Sequence, residues 1–450
     1  MGVSFLCACG QQAANTVDTA ADTYHSNVAT LGLIPDLSYE IEEVKPHIMV
    51  DVEGYMSGGK KVLFVSGRNL DKEFKLIDTE SGETAYEGKL TLLSEGENEE
   101  EDLYMGEFTD LYEKGSYRAF QKQVGYSYEF SIGENINKQL YIEVYRELKD
   151  LDSTDNGVNC YRLAMLMFAH EIYPDAYSDV KYLRKETEKL LTQQDAVSKS
   201  VYAQYQTDES IEKSRNTSVE NTSEEELKIS LSVTAQFAGV MANYYHDFYE
   251  NDPQFATSCL QAATQAYVSM VRYRDNVDDD AWYYAAASLY RATGNETYKY
   301  AISEYDALTD RARTASELDY VMLADMAYLN TEYRADYTRC EELMNEYQTR
   351  ASDIADAVSR QTLYVREDIE ECEIKEVLSD MMVLGMVDYV LSGGEYSSVK
   401  ENYLHYYLGR NPDKCDWLKA DSDQTFAGDI PSLSKLVFIL GYGESSVATE

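Results

Sequence analysis

The sequence predicts two folded domains, an antiparallel β-sandwich followed by an all-helical domain. The first part of the chain contains short runs in which apolar and polar residues alternate, and this period of two is typical of half-buried strands. After about residue 137 the apolar residues recur at every third or fourth position, as on one face of a helix. Because the strands precede the helices and do not alternate with them, we expect separate domains.

The first residues, MGVSFLCAC, resemble the end of a bacterial lipoprotein signal. We interpret residues 1–9 as a partial signal with Cys9 as the acylated residue, and residues 10–45 as a polar tether. A lipid on Cys9 would hold the protein at the cell surface, so we expect an extracellular or cell-surface location. The apolar run is too short for a complete signal and no basic residue precedes it, so an accidental likeness is the alternative.

Strand-like runs fill residues 46–136. Among them are HIMVDVEGY, KKVLFVSG, DLYMGEFTDL and SYRAFQKQVGYSYEFSIG, separated by glycine-containing turns. Several such strands within about ninety residues predict an antiparallel β-sandwich. The acidic run from Glu95 to Asp102 lies between strands, and we interpret it as a solvated loop rather than a calcium site.

Helical patterns fill residues 137–450. Between Ser232 and Tyr298 three amphipathic helices are predicted, with Pro253 in the first turn of the second and Gly294 ending the third. Across the domain the pattern indicates helix starts near residues 138, 158, 179, 232, 253, 280, 298, 317, 336, 351, 374, 398 and 431. Short loops between them predict antiparallel hairpins. The number is close to the twelve helices of an (α/α)6 toroid, in which six hairpins form an inner and an outer ring.

Composition limits the classes of partner. Lys and Arg total 39 against 81 Asp and Glu, a formal charge of -42, which argues against binding nucleic acid or anionic membrane surfaces. The seven cysteines contain no C-x-x-C pair and the five histidines are scattered, so we predict neither a metal site nor a cofactor. No run of about 18 consecutive apolar residues occurs, and membrane contact is therefore expected only through the lipid anchor.

Three helical segments carry a family resemblance. They read TAQFAGVMA, DPQFATSCLQAATQA and WYYAAASLYRATG, and in this order and spacing they resemble the family 9 glycoside hydrolases, the endoglucanase family. The resemblance implies a six-hairpin (α/α)6 toroid. Residues 46–136, with IMVDVEGY near the start and Phe130-Ser131-Ile132 at the end, are similar to the immunoglobulin-like domain that precedes the catalytic domain in many members.

Inverting hydrolysis of a glycosidic bond needs one carboxyl group as acid and another as base. The family carries its base in a D-A-G-D loop, which here reads Asp152-Ser153-Thr154-Asp155. The resemblance implies that Asp155 is the base and that Asp152 helps to hold the water. A structural alternative is that Asp152 or Ser153 caps the following helix and that Asp155 favours its positive N-terminal end.

The family's acid is a glutamate shortly before the last helix. Matching PSLSKLVFILG to that helix implies that Asp423 is the acid. Aspartate would hold its carboxyl about 1.5 Å further back than glutamate does, and a misplacement of about 1 Å can cost about 100-fold in rate. The segment L-G-R-N-P resembles a family segment, but the H-H-R motif that follows it in the family is missing. Arg410 and Trp417 are candidates for substrate contact, with packing as the alternative for Trp417.

Two functions of different class follow. The first is inverting hydrolysis of a β-linked glucan-type polysaccharide or oligosaccharide by an altered active site. The second is a catalytically inactive cell-surface protein that binds carbohydrate or assembles with other proteins on the same fold. A third, an exo-acting or lyase-type activity on the same toroid, stays open because a fold does not fix a function.

Overall fold

The computed structural model describes residues 45–96, 101–173, 179–207, 209–210, 228–308, 319–391, 393–419 and 428–446. Four predictions lie outside these residues: lipidation at Cys9, the polar tether before residue 45, the middle of the acidic loop at residues 97–100, and the acid role of Asp423. The elements below all belong to one compact unit, residues 46–450. Within the described ranges, no helix has the length and apolar character needed to cross a membrane.

Eight strands form the N-terminal domain. They are β1 (Ile48–Met49), β2 (Tyr55–Met56), β3 (Val62–Gly67), β4 (Glu73–Asp78), β5 (Thr84–Ser94), β6 (Asp102–Glu107), β7 (Gly115–Gln121) and β8 (Gly125–Gly133). Their hydrogen-bonding order is β1-β3-β6-β5-β4-β7-β8-β2, with β2 and β8 parallel and the other pairs antiparallel. Strand β5 joins the two layers because its first half pairs with β4 and its second half with β6.

Alternation along the strands explains how each layer buries one face. In β7, Tyr117 and Ala119 are buried whereas Arg118 between them is exposed. The buried residues pack with Phe74 and Phe130 in one apolar core between the layers. The predicted antiparallel β-sandwich is confirmed.

Twelve helices follow in the described residues. They are α1 (Ile136–Asp150), α2 (Asn156–Ile172), α3 (Val180–Leu191), α4 (Leu231–Phe248), α5 (Pro253–Val271), α6 (Asp279–Thr293), α7 (Glu296–Leu308), α8 (Asp319–Leu329), α9 (Tyr337–Ser359), α10 (Ile374–Leu391), α11 (Ser397–Tyr407) and α12 (Ile430–Ser446). The predicted helix start near residue 351 is wrong. Leu343, Tyr347 and Ala351 are all buried at intervals of four residues, so one continuous apolar face carries α9 through this point.

The helices form two concentric rings. The even-numbered helices form the inner ring and are buried on almost every side; in α6 each residue from Ala281 to Ala292 is buried. Around this ring α12 packs on α2, α2 on α4, α4 on α6 and α6 on α8, while α10 packs on α12. A hydrogen bond from Ser379 of α10 to Asp319 of α8 (3.1 Å) closes it. The predicted (α/α)6 toroid is confirmed.

The three helices predicted between Ser232 and Tyr298 are α4, α5 and α6. Gly294 ends α6 in the left-handed conformation (φ 66°), as its position predicts. Inside the ring α4 and α6 approach closely at Gly239, where a β-carbon would lie 2.3 Å from the ring of Tyr284. This part of the chain is scaffold that sets the spacing of the inner helices.

All six inner helices run in the same direction, because each outer helix returns the chain to the same end of the toroid. We call the end at which the inner helices begin the mouth. Side chains just before three of them accept backbone N–H groups: Asp155 before α2, Ser230 before α4 and Asp429 before α12. The backbone N–H of Asp278, just before α6, donates to Ser232 Oγ of α4 (3.0 Å). The mouth therefore concentrates polar groups and the positive ends of helix dipoles.

Candidate active site

Asp155 lies at the mouth as the N-terminal cap of α2. Its Oδ1 accepts the backbone N–H groups of Gly157 (2.7 Å) and Val158 (3.2 Å), and its side chain is exposed. The expectation that Asp152 or Ser153 forms this cap is wrong. Ser153 instead supports the loop, since its Oγ accepts the N–H of Asp155 (3.1 Å). Asp155 thus combines a structural role with an accessible carboxylate.

Asp152 faces solvent. Its side chain is 97% exposed, and Lys189 Nζ of α3 lies 3.8 Å from its Oδ1. Such an exposed pair contributes little to stability. The assignment of Asp152 as a partner in holding water stays a prediction, as do the base role of Asp155 and the acid role of Asp423.

Asp319, the first residue of α8, is the centre of a network that the sequence analysis missed. Its Oδ2 accepts hydrogen bonds from Tyr161 Oη (3.0 Å) and Lys435 Nζ (2.8 Å), and its Oδ1 accepts from Ser379 Oγ (3.1 Å). The four residues come from α2, α8, α10 and α12. One carboxylate therefore ties four of the six inner helices together at the mouth.

Lys435 is almost completely buried, with 3% of its side chain exposed. Its ammonium group donates to Asp319, to Ser379 Oγ (2.7 Å) and to the carbonyl of Lys375 (3.1 Å), so all three N–H donors have partners. In this network Asp319 acts as a hydrogen-bond acceptor.

Tyr161 and Tyr320 lie beside this network, with ring centroids 5.8 Å apart in an edge-to-face arrangement. Burial raises the pKa of both hydroxyls well above the usual value, and the negative charge of Asp319 adds to the effect. For Tyr320 the charge of Asp155 contributes as well, which places its hydroxyl within electrostatic reach of both carboxylates. Among the described residues this hydroxyl has no hydrogen-bond partner.

Asp429 is a third aspartate at the mouth. Its Oδ2 accepts the N–H of Ser432 (3.0 Å) at the start of α12, and its charge also reaches Tyr161. The sequence analysis missed Asp319 and Asp429, although a signal was present. Each is an aspartate at the start of a long apolar helix, which is the position that side-chain caps and helix dipoles favour.

The structure buries the two proposed substrate-contact residues in the segment after α11, where the two domains meet. Arg410 is 1% exposed; its Nη2 donates to the carbonyl and Oδ1 of Asn402, and its guanidinium lies over the ring of Phe64 of β3. Trp417 is 8% exposed and packs 5.6 Å from Tyr407. The burial of Trp417 argues against substrate contact and fits the packing alternative. The burial of Arg410 argues against direct contact with a glycan.

No group of three or more His, Cys, Asp or Glu side chains in the described part of the chain is placed to hold a metal ion. The described part of the mouth contains the carboxyl groups of Asp155, Asp319 and Asp429, the hydroxyls of Tyr161 and Tyr320, and the buried ammonium group of Lys435.

Comparison with protein families gives two matches along the chain. Residues 158–418 match the model of glycosyl hydrolase family 9, and residues 43–125 match that of the cellulase N-terminal ig-like domain. The first match covers more than half of the chain, and the second identifies the β-sandwich as immunoglobulin-like. A comparison with curated proteins found no significant match.

Solved structures share the whole architecture. A metagenome-derived glycoside hydrolase family 9 endoglucanase is 17% identical, with 88% of this chain and 99% of that chain aligned at a TM-score of 0.71. A single mutant of a thermostable endoglucanase from Alicyclobacillus acidocaldarius is 16% identical, with 88% and 99% aligned at 0.69. A Bacteroides ovatus GH9 structure is 15% identical, with 89% and 99% aligned at 0.67. At these identities the likeness shows a common fold.

Proposed function

The chain belongs to glycosyl hydrolase family 9, and we propose that it hydrolyses β-linked glucan-type polysaccharides or oligosaccharides with inversion, using an altered active site at the mouth of the toroid. The observation that carries this proposal is the position of Asp155. Its carboxylate is exposed at the start of an inner helix, and both cap bonds use Oδ1. Oδ2 is the oxygen that would take a proton from water.

The proposed reaction uses two carboxyl groups on opposite sides of the scissile bond. Asp155 would draw a proton from a water molecule that attacks the anomeric carbon, while Asp423 would protonate the departing oxygen. Inversion requires about 6.5–9.5 Å between such carboxyl groups. Asp319 would accept a hydrogen bond from a sugar hydroxyl, because its side chain is held in position by Tyr161, Ser379 and Lys435. The Tyr161 and Tyr320 rings offer apolar surface beside it.

The test is release of reducing ends from cellulose, mixed-linkage glucan and xyloglucan by the wild type and Asp155→Asn. Asparagine is as good a cap as aspartate, so the start of α2 should keep its hydrogen bonds. Loss of a general base should lower the rate by at least about 100-fold. Asp336→Asn is the matched control, since Asp336 caps outer helix α9 through Arg339 N (3.0 Å) and should leave the rate unchanged. Equal rates for Asp155→Asn and wild type would refute the base assignment.

A second function, a catalytically inactive carbohydrate-binding or assembly protein, is favoured by one observation. The Asp155 carboxylate is already engaged by two backbone N–H groups, which is sufficient reason for an aspartate at this position without catalysis. Affinity electrophoresis on the same glucans separates the two functions. Retention without sugar release by the wild type would support binding alone, and the absence of both would refute both proposals.

We propose further that the protein is held at the cell surface by a lipid on Cys9. The support is the short apolar run before Cys9 and the polar stretch after it. Metabolic labelling with a palmitate analogue in a bacterial host should mark the wild type and not Cys9→Ser. Labelling of neither protein would refute the anchor.

A further inference from the structure

The contact between the sandwich and the toroid contains titratable side chains with unusual partners. We call it the joint: residues 50–55 of the sandwich against residues 401–419, which comprise most of α11 and the segment after it. A backbone hydrogen bond connects the two segments, since the N–H of Val52 donates to the carbonyl of Leu408 (2.8 Å). Gly409 lets the two backbone segments approach this closely, because a β-carbon there would lie 3.0 Å from the carbonyl oxygen of Val50.

Asp51 is buried at the centre of the joint. Its Oδ1 accepts the backbone N–H groups of Glu53 (2.9 Å) and Gly54 (3.0 Å). Its Oδ2 lies 2.6 Å from Nδ1 of His405 on α11, a separation at which the two groups share a proton. The Asp51–His405 contact therefore joins the two domains through one hydrogen.

The environment of this pair favours its neutral form. Burial raises the pKa of Asp51 well above its usual range. Burial, assisted by the charge of Arg410, lowers the pKa of His405 to about 3. Separated and solvated, the two groups would titrate near about 3.9 and about 6.5, so above neutral pH neither would hold a proton. In the closed joint burial opposes the release of the shared proton, whereas the open joint releases it.

A second contact across the joint pairs two acids. Burial and the neighbouring carboxyl of Glu53 raise the pKa of Asp416 to about 7. Lys419 donates to Glu53 and lies 4.0 Å from Asp416 Oδ2, which offsets only part of the charge. A solvated aspartate would lose its proton near about pH 4. Between about pH 4 and pH 7 the closed joint thus holds a second proton that the open joint lacks.

Other charged or titratable groups around the joint must be included in the balance. Those that face the two pairs are Tyr55, Lys60, Glu143, Glu401, Arg410 and Lys419. Burial raises the pKa of Tyr55, so its hydroxyl stays protonated, and although burial opposes them, the carboxyls of Glu53 and Asp416 raise the pKa of Lys419. Neither Tyr55 nor Lys419 therefore changes charge between about pH 4 and pH 8.

We propose that the joint is a proton-sensitive contact between the two domains, closed under mildly acidic conditions and progressively weakened as the pH rises through neutrality. The sign follows from proton linkage. A closed state that binds more protons than the open state loses stability as the pH rises. Below about pH 4 the sign reverses, because an opened joint would bind protons on both His405 and Asp51.

Hydrogen exchange at Val52 tests the proposal, because this amide exchanges only when the joint opens. Mass spectrometry of the full chain between pH 5 and 8, corrected for intrinsic exchange rates, gives its protection factor. For a pKa near about 7, Asp416 alone should lower the protection about tenfold between about pH 6 and pH 8. Asp416→Asn, which cannot ionise, should remove this tenfold decrease. Asp413→Asn, the same substitution at an exposed position three residues away, should keep it.

Asp51→Asn provides an independent arm. Its Oδ1 can keep both backbone hydrogen bonds while its amide donates to His405, so the joint stays closed without the shared proton. We expect a flatter pH profile than in the wild type. Circular dichroism at pH 5 checks that each variant is folded. Protection at Val52 that is independent of pH in the wild type, or equally pH-dependent in wild type and Asp416→Asn, would overturn the proposal.

Discussion

The two ends of the inner ring both hold a buried cation against carboxylates, yet they differ in what is left for other molecules. At the mouth Lys435 binds Asp319. At the opposite end, where the inner helices finish, Arg291 Nη1 donates to both oxygens of Glu171 (2.6 and 2.7 Å) and its Nη2 to Asn243 (3.0 Å). Each end holds a buried cation, but at the far end the charged groups pair with one another. The mouth adds the exposed carboxylates of Asp155 and Asp429.

The two ends of the toroid therefore serve different purposes: the far end stabilises the fold, and the mouth offers reactive groups. Helix dipoles make the far end favourable for a cation such as Arg291 and the mouth favourable for anions. The far end uses that preference to lock α2, α4 and α6 together. At the mouth, the positive ends of the helix dipoles favour carboxylates that stay accessible. A catalytic base or a sugar-binding carboxylate has to be accessible in this way.

Arg291→Met should have the largest effect and break the far end. Glu171 would lose its bidentate partner while largely buried, and breaking such a pair lowers the free energy of unfolding by about 4 kcal/mol. Urea denaturation measures the loss. Arg184→Met is the control, because Arg184 pairs with Glu188 and Asp252 at the surface and should change stability by about 1 kcal/mol or less. Similar losses in the two variants would contradict the structural role of the far end.

Lys435→Met should have an intermediate effect and test the mouth. We expect a loss of about 3 kcal/mol, less than for Arg291, because Asp319 keeps two hydroxyl donors, Tyr161 and Ser379. Glycan retention should also weaken, since the position of Asp319 is no longer fixed. Lys185→Met, at an exposed position of α3, is the control for both measurements. Stability loss with unchanged retention would separate this network from binding.

Glu171→Gln should have the smallest effect on stability, and we expect this effect to show as a change in how the melting temperature depends on pH. Burial alone would raise the pKa of Glu171, but the Arg291 guanidinium more than offsets this and lowers it. A carboxyl group with a lowered pKa in the folded state stabilises the fold above about pH 4. This stabilisation is lost as the pH falls through the pKa of the folded state. Melting temperatures from pH 7 to 3 should therefore fall more steeply for the wild type than for the variant. Asp247, whose pKa is raised chiefly by burial, is present in both proteins and does not explain a difference between their profiles. Parallel profiles for the wild type and Glu171→Gln would therefore contradict a stabilising role of the ionised Glu171.

Much of the fold could be predicted because its signals are local. Period-two runs gave the sandwich, and Pro253 and Gly294 marked helix ends that the structure confirms. The false helix start near residue 351 arose from a polar interval in the sequence that does not interrupt the apolar face of α9. Local propensity cannot decide such a case, because packing against the inner ring carries the helix through.

The site was less predictable because its partners are distant in sequence. A lysine in the apolar sequence of α12 has no local explanation, and its partner Asp319 lies on α8. Asp51 and His405 are 354 residues apart. The family resemblance directed attention to Asp155, which is at the mouth, but it also directed attention to Arg410 and Trp417, which are buried. Segment likeness locates a residue along the chain and does not say which way its side chain faces.

The position of α12 between α10 and α2 has a consequence for biosynthesis. This helix is translated after the other eleven, yet Phe438 within it stacks on Phe168 of α2 at 4.9 Å. The ring therefore cannot close while α12 is still inside the ribosome. Until then the apolar surface of α2 that α12 covers is exposed, and incomplete chains of this kind are prone to aggregation. The sandwich, emerging first and with its own core, can fold long before its partner domain is complete.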